Sequence, residues 1–428
     1  MITKHKINQA LEFVKNKCKA DDYTISIHNV DNLLTRFAQN SITQHIKGNN
    51  LDVSLKVAFD NKVGSASVNN LNEDSLQYLI KTAENMAKLN QPDPEFVVSE
   101  PNHSLPQTDN FKQNTADLTV NKVVDNIQLC VKNAEKYKAK LAGISEKKIV
   151  KSYLATKNGF QGEDELTTFS HSMTMKKNNI ETKVFHSVKD YAEFDMNKLI
   201  EKLNRQFNSL KEPKAMEKGK YNVILRPAAV LRWMFYLIWT FDRREADEGM
   251  TPYTDKLDKQ FFGKNFSFYS SMNDKDLVAP SYFKKGVPVR NIEWITNGVI
   301  KNMRRSRYYA KKIKKEPSTA YNIVVKGSET TEKEMMQQVD RGIIINNFWY
   351  IRPVDRKAGE WTGLTRDGVL YFEEGKLTNS VTNFRWNEIF HEATKRILAL
   401  GKSVQKEYYA KVPTMLIKDF NFVDTTTF

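Results

Sequence analysis

An order of elements that occurs twice before residue 211 constrains this fold most. Residues 5–19 place Ile7, Ala10, Leu11, Val14 and Cys18 at helical spacing. Runs of period-two alternation follow: YTISIHNV, LLTRFAQN, SITQHI, LDVSLKVAF and KVGSASVNN. They predict short antiparallel strands joined by Asp, Asn and Gly turns. Asn72-Glu73-Asp74-Ser75 then opens a helix with Leu76, Leu79, Ile80, Ala83 and Ala87 on one face, stopping before Pro92. Residues 91–112 hold four prolines and predict a loop crossing a surface. A second round follows, with a helix over 115–138, strands over 140–195 and a helix over 196–210. The repeated order suggests duplication, although no matching residues establish one.

Beyond the polar stretch KEPKAMEKGK the pattern changes. The strand YNVILR leads to Pro227 at a helix N1 position, then AAVLRWMFYLIWTF. That segment is apolar on nearly every face, which predicts a buried helix. From Asn291 onward short strand-like runs return, with turns expected at Asn297-Gly298 and Asp367-Gly368. The tail KVPTMLIKDFNFVD alternates as a final strand. The fold class is therefore α+β with much antiparallel sheet. Two domains are expected, an N-terminal α+β domain over 1–215 and a C-terminal β-rich domain over 216–428.

Composition narrows the function. The chain carries 66 Lys+Arg against 51 Asp+Glu, a net +15, with 40% hydrophobic residues. That apolar content excludes a disordered polyelectrolyte. Only Arg36 and Arg205 precede residue 219, and fourteen arginines follow it; all six tryptophans also lie beyond it. Arg and Trp suit fixed contacts, so the recognition surface is expected in the second half. No run approaches the ~18 apolar residues of a membrane span. The start MITKHKINQALEFVKNK lacks the features of a signal peptide. Cys18 and Cys130 form no CxxC, which excludes a disulfide framework and a cysteine-based zinc site and points to a cytoplasmic chain.

Catalytic motifs are missing. None of the seven histidines pairs with another at the i, i+4 spacing of a zinc helix. His391-Glu392 is followed at i+4 and i+5 by Lys395 and Arg396, which repel a cation, so His391 reads as structural, as do His28 and His45 on their strands. GxSxG, GxxxxGK[ST] and a post-strand GxGxxG are absent. Neither Asp21-Asp22 nor Glu373-Glu374 reads as more than solvated charge.

Two segments stand out. Residues 301–315, KNMRRSRYYAKKIKK, hold eight cations and no anion. Arg304, Arg305, Arg307, Lys311 and Lys312 are candidates for electrostatic steering, against the plainer reading of a solvated basic face. From Phe348 to Glu388 come FWYIRPVD, WTGLTRDGVLYFEEGKL and NFRWNE. Arg352, Arg366 and Arg385 need partners there, because an unpaired buried charge is costly. Asp355, Asp367 and Glu388 are internal options; a bound peptide is the other. Arg352, Trp361, Arg366, Asp367, Arg385 and Trp386 are therefore the peptide-binding candidates.

These residues resemble the TldD/PmbA family of two-subunit zinc proteases, also labelled modulators of DNA gyrase. TRFAQNSITQ and VGSASVNN resemble its N-terminal domain, and YNVILRPAAV the opening of its C-terminal domain. KKGVPVRNIEWITNGVI, then RGIIINNFWYIRPVD, TGLTRDGVLYFEEGKL and NFRWNE, resemble its later segments in order. The resemblance implies a barrel-like C-terminal domain. Active subunits of the family carry HExxxH on the helix after the opening strand and a later cysteine. This chain has neither, since that helix reads AAVLRWMFYLIWTF and no cysteine follows Cys130. It resembles the metal-free TldE/PmbA-type subunit. No catalytic or metal residue is expected in it, and zinc is expected in a HExxxH-bearing partner. Heterodimerisation with that partner, or homodimerisation when alone, would help hold an extended peptide. A stand-alone peptide-binding module is the alternative. Nucleic acid binding, prompted by the basic balance, is disfavoured, and no membrane contact is expected.

Overall fold

The computed structural model describes residues 2–426. Strand outweighs helix, 43% against 26%, as the alternating runs require of an α+β chain. Six strands form the first sheet: β1 (Asp22–Ala38), β2 (Ser41–Phe59), β3 (Lys62–Val68), β4 (Lys140–Thr156), β5 (Gln161–Lys177) and β6 (Ile180–Val188). Their order is β3-β2-β1-β4-β5-β6, antiparallel throughout.

The expected short strands are in fact fused. YTISIHNV and the LLTRFA of LLTRFAQN lie in one 17-residue strand, β1, and SITQHI and LDVSLKVAF in one 19-residue strand, β2. Asp31 and Asn32 do not turn, because they pair with Asn49 and Gly48 on one side and Ile149 and Lys148 on the other. Paired backbone on both sides outweighs their turn preference. The real turns are Gln39-Asn40 and Asp60-Asn61, where all four residues adopt positive φ of 47–64°. That left-handed geometry matches the twist of a two-residue hairpin, and Asn and Asp tolerate it.

The helices are α1 (Lys4–Lys17), α2 (Glu73–Leu89), α3 (Gln113–Ala116), α4 (Val120–Lys136) and α5 (Met196–Ser209). Asn72 caps α2, its side chain accepting from Ser75 N. On β1, Tyr23, Ile25 and Ile27 join the core built with α1 and α2, whereas Leu33 and Phe37 join that of α4 and α5. All five are odd-numbered, so one face of β1 serves both helix pairs. The repeated order in sequence thus has three strands on each side of the β1–β4 seam, and each helix pair packs across it. Gly64 is required where α2 crosses β3, since a Cβ there meets Ala83 O at 2.2 Å.

Further along come β7 (Gly219–Leu225) and α6 (Pro227–Thr240). β7 lies between strand Arg341–Asp355, parallel to it, and strand Met415–Thr425, antiparallel. Strands Phe384–Ile389 and Glu360–Glu373 continue the order, and the pairing of Glu360–Glu373 with Arg341–Asp355 closes a five-stranded barrel. Over residues 223–225, 343–345 and 415–417 its strands are buried on both faces. Val223, Leu225, Ile343, Ile345, Met415 and Ile417 enter the large core, and their neighbours Ile224, Ile344 and Leu416 pack with Met335 and Met336. A second six-stranded sheet, including Phe268–Ser270, Ile292–Thr296 and Ile323–Val325, packs into the same large core.

Asn297-Gly298 forms the expected hairpin turn. Asp367-Gly368 does not turn. It sits inside strand Glu360–Glu373 with φ of 64° and 99°, opposite a register break between Ile345 and Asn347. Asn346 Nδ2 donates to the Asp367 carbonyl at 3.0 Å, and Asn347 Nδ2 to its carboxylate at 2.8 Å. Those bonds hold a bulge where the dipeptide alone suggests a reversal. The first sheet joins the barrel region through β6, with Ser187 Oγ donating to Glu407 Oε2 at 2.9 Å and Tyr408 N to Ser187 Oγ at 2.8 Å. No helix among the described residues is long and apolar enough to cross a membrane.

Candidate functional site

Helix α6 comes first, because a family metal centre would stand on it. Pro227 occupies its first turn, and Arg226 at the N-cap holds Glu332 with Nε and Nη2, both at 2.8 Å. Ala229, Val230, Trp233, Met234 and Leu237 are buried. The helix is not buried all round, however. Arg232, Phe235 and Trp239 form an open stripe, Phe235 being 38% and Trp239 49% exposed. Apolar composition hid this, since the exposed stripe is itself aromatic. No imidazole or carboxylate projects from α6, and among the described residues no three His, Cys, Asp or Glu side chains gather. Zinc hydrolysis requires three protein ligands and a base around an activated water. These residues do not fit that group.

Next to α6, strand Arg341–Asp355 carries a second open cluster. The Arg366 guanidinium lies 4.4 Å from the Trp349 ring centre, and Arg352 lies 4.4 Å from that of Tyr350. The two rings are 5.6 Å apart and are 48% and 51% exposed. Tyr350 has a φ of 52°, within a register break between Trp349 and Arg352. That break turns consecutive side chains outward, where ordinary alternation would bury one. Arg352 Nη1 also donates to the Ile351 carbonyl at 2.9 Å. Closer to α6, Arg356 lies 5.0 Å from the Trp239 ring and bonds Glu245 at 3.1 Å. Stacked guanidinium groups keep edge N–H groups free for carbonyl or carboxylate acceptors, while the rings offer apolar faces.

The candidates read from sequence divide. Arg352 and Arg366 stand on this face. Trp361 is 2% exposed, packed under Tyr236 and Trp239, and Trp386 is 0% exposed in the large core. Both are core residues. Asp367 is 7% exposed, and its carboxylate accepts from Asn347, with Arg366 Nε 3.9 Å away. Arg385 is half-buried, in register with Asp424. Glu388, considered as an arginine partner, pairs with Arg396 Nη2 at 2.6 Å instead. Trp349, Tyr350 and Trp239 join the open face without being candidates from sequence; the bulge that exposes the first two carries no sequence signal beyond the FWY run.

The basic stretch 301–315 is only partly a steering surface. Arg304 lies 3.8 Å from Asp242 and donates to the Trp239 carbonyl at 3.1 Å. Arg305 Nε donates to the Glu316 carbonyl at 2.8 Å. Arg307 clasps Glu100 and the Val98 carbonyl, with its side chain only 10% exposed. Internal acceptors therefore occupy all three arginines, leaving Lys311 and Lys312 exposed. Arg307 latches the proline-rich loop onto the barrel region. Arg307→Ala leaves Glu100 without that guanidinium, a loss of about 1–3 kcal/mol. The expected result is faster proteolytic cleavage within residues 93–106, read by mass spectrometry, with little change in the rest of the chain.

An open depression of about 600 Å³ between Asp52, Ser67, Asn69, Asp74, Ser75 and Tyr78 lies on the first sheet, apart from these clusters, and brings no complementary groups together.

A barrel joined to a six-stranded antiparallel sheet with paired helices defines an α+β fold. Over 98–99% of this chain it superposes on three solved structures. TldE from Thermococcus kodakarensis gives a TM-score of 0.86 at 16% identity, covering 99% of that chain. Proteins named as modulators of DNA gyrase give 0.84 at 16% identity for Thermotoga maritima and 0.86 at 17% for Bacteroides thetaiotaomicron, each covered completely. At such identities these likenesses show the fold. Residues 218–424 match the PmbA/TldA metallopeptidase C-terminal domain, and residues 23–87 match PmbA/TldA metallopeptidase domain 1. The chain belongs to the PmbA/TldD family, which gives it a peptidase-related role at the level of the family. No curated protein matches it.

Proposed function

We propose that this chain is a non-catalytic, TldE-type subunit of a two-chain cytoplasmic zinc peptidase. A HExxxH-bearing relative supplies the zinc and the general base. This chain pairs with it and holds an extended peptide against the aromatic and guanidinium face around Trp349 and Trp239. The observation that carries the reading is α6: its open stripe is Arg232, Phe235 and Trp239, with no metal ligand among them. Trp, Tyr and Arg are the residue types that concentrate binding energy at interfaces.

The test is to purify the chain, alone and mixed with a HExxxH-bearing family member, and to measure zinc and peptidase activity. We expect a zinc-free, inactive chain that forms a complex and raises the partner's activity. Stoichiometric zinc with peptidase activity in the isolated chain overturns the proposal. Within the complex, Trp349→Ala is expected to weaken peptide binding by roughly tenfold or more, the scale of an interface hot spot.

A further inference from the structure

Within the core shared by α4, α5 and the first sheet lies a set of side chains that the proposed function does not use. Cys130 on α4, His171 on β5 and Met196 at the start of α5 converge there. Their exposures are 1%, 0% and 7%. Cys130 Sγ stands 3.4 Å from Met196 Sδ and 3.8 Å from His171 Nε2. On the far side of the ring, His171 Nδ1 and Ser145 Oγ are 2.6 Å apart. Phe37 stacks on the imidazole at 5.7 Å and Phe194 flanks it at 6.4 Å, so the ring is held in place.

We propose that Cys130, His171 and Met196 form a three-coordinate site for a soft monovalent cation, Cu(I). The donor set is the first reason. A thiolate, a thioether and an imidazole select soft ions, and no hard oxygen donor is among the three. Spacing is the second reason. Donors about 2.0–2.3 Å from a central ion, the range of metal–nitrogen and metal–sulfur bonds, lie roughly 3.5–4 Å from one another in a trigonal plane. The Cys130–Met196 and Cys130–His171 separations, 3.4 and 3.8 Å, are close to that range.

Charge gives the third reason. Cu(I) on one thiolate is neutral overall, as an apolar core requires. A divalent ion in the same place leaves a buried positive charge and lacks a fourth ligand. Ser145 supplies the orienting contact: with Nδ1–H donated to its hydroxyl, Nε2 presents a lone pair toward Cys130. On binding, the Cys130 S–H bond breaks, the S–Cu bond forms, and the proton leaves to solvent. Copper stays Cu(I), so no electron is transferred. The site is independent of the subunit role proposed above, and either can fail without the other.

The experiment is an anaerobic titration of the purified full chain with Cu(I), in competition with a chromophoric Cu(I) chelator. One equivalent is expected to bind, and X-ray absorption is expected to show two sulfur donors and one nitrogen donor. Cys18→Ser, which removes the other thiol, is expected to leave binding unchanged. Cys130→Ser is expected to abolish it, and Ser145→Ala to lower affinity by about 10–100-fold, the usual effect of losing a ligand's orienting partner. Met196→Leu nearly conserves volume, keeps the fold, and is expected to weaken binding with loss of one sulfur from the absorption spectrum. Absence of one-equivalent binding in the unmodified chain overturns the proposal. So does binding that Cys18→Ser removes, or a spectrum that Met196→Leu does not alter.

Discussion

Replacing Trp233 with alanine is expected to lower the unfolding free energy by about 3–5 kcal/mol. Trp233 is 1% exposed and lies 4.3 Å from Phe390, 5.8 Å from Phe420, 6.4 Å from Trp386 and 6.5 Å from Phe348, measured between ring centres. Those rings come from four separate elements, and the backbones of Phe348, Trp386 and Phe420 are fixed by the barrel pairings. They cannot all collapse into the space, so a cavity remains. A domain stability of ~5–15 kcal/mol leaves little margin for such a loss. Urea unfolding monitored by circular dichroism checks it. A loss below about 1 kcal/mol means that the core repacks freely, contrary to this account.

The second large effect is acid instability. His186 stacks on Phe194 at 5.9 Å, and burial, then Lys406 and Lys202, pulls its pKa down to about 4. His391 is 7% exposed and stacks on Phe261 at 4.3 Å. Burial again dominates and pulls it to about 4; Glu392 opposes the shift, and Lys395 and Lys256 add to it. Both imidazoles are therefore neutral in the fold and titrate near 6.5 when unfolded. Below that value the unfolded chain binds protons that the folded chain refuses. Stability is complete above about pH 6.5 and falls between 6.5 and 4, by at most about 1.4 kcal/mol per pH unit for each histidine. Urea unfolding at pH 7.5, 6 and 5 should show the decline. His186→Phe and His391→Phe should each flatten it. Equal stability at pH 7.5 and 5 contradicts the burial of neutral imidazoles.

Where a pattern depends on nearest neighbours, it is legible in the sequence. Asn72 caps α2 and Pro227 starts α6 because those roles need only a few adjacent residues. Asn297-Gly298 turns for the same reason. Patterns that depend on distant pairing were misread. Asp31-Asn32 looks like a break until β2 and β4 flank it, and Asp367-Gly368 looks like a reversal until Asn346 and Asn347 bind it. The candidate face divides along the same line. Arg352 and Arg366 stand out in the sequence because an arginine among apolar residues demands a partner. Trp361 and Trp386 could not be told from surface residues, because composition does not say which face of a strand is covered. Trp349 and Tyr350 are open only because of a bulge set by the opposing strand.

One consequence of the barrel concerns the order in which the chain is made. β7 must wait for strand Met415–Thr425, and residues 226–414 emerge from the ribosome between them. Until then the facing edges of β7 and of strand Phe384–Ile389 have no closing neighbour. The first sheet has no such delay, since each of its strands is made before residue 189. Synthesis thus yields a nearly complete first sheet tethered to an open, sticky half-barrel.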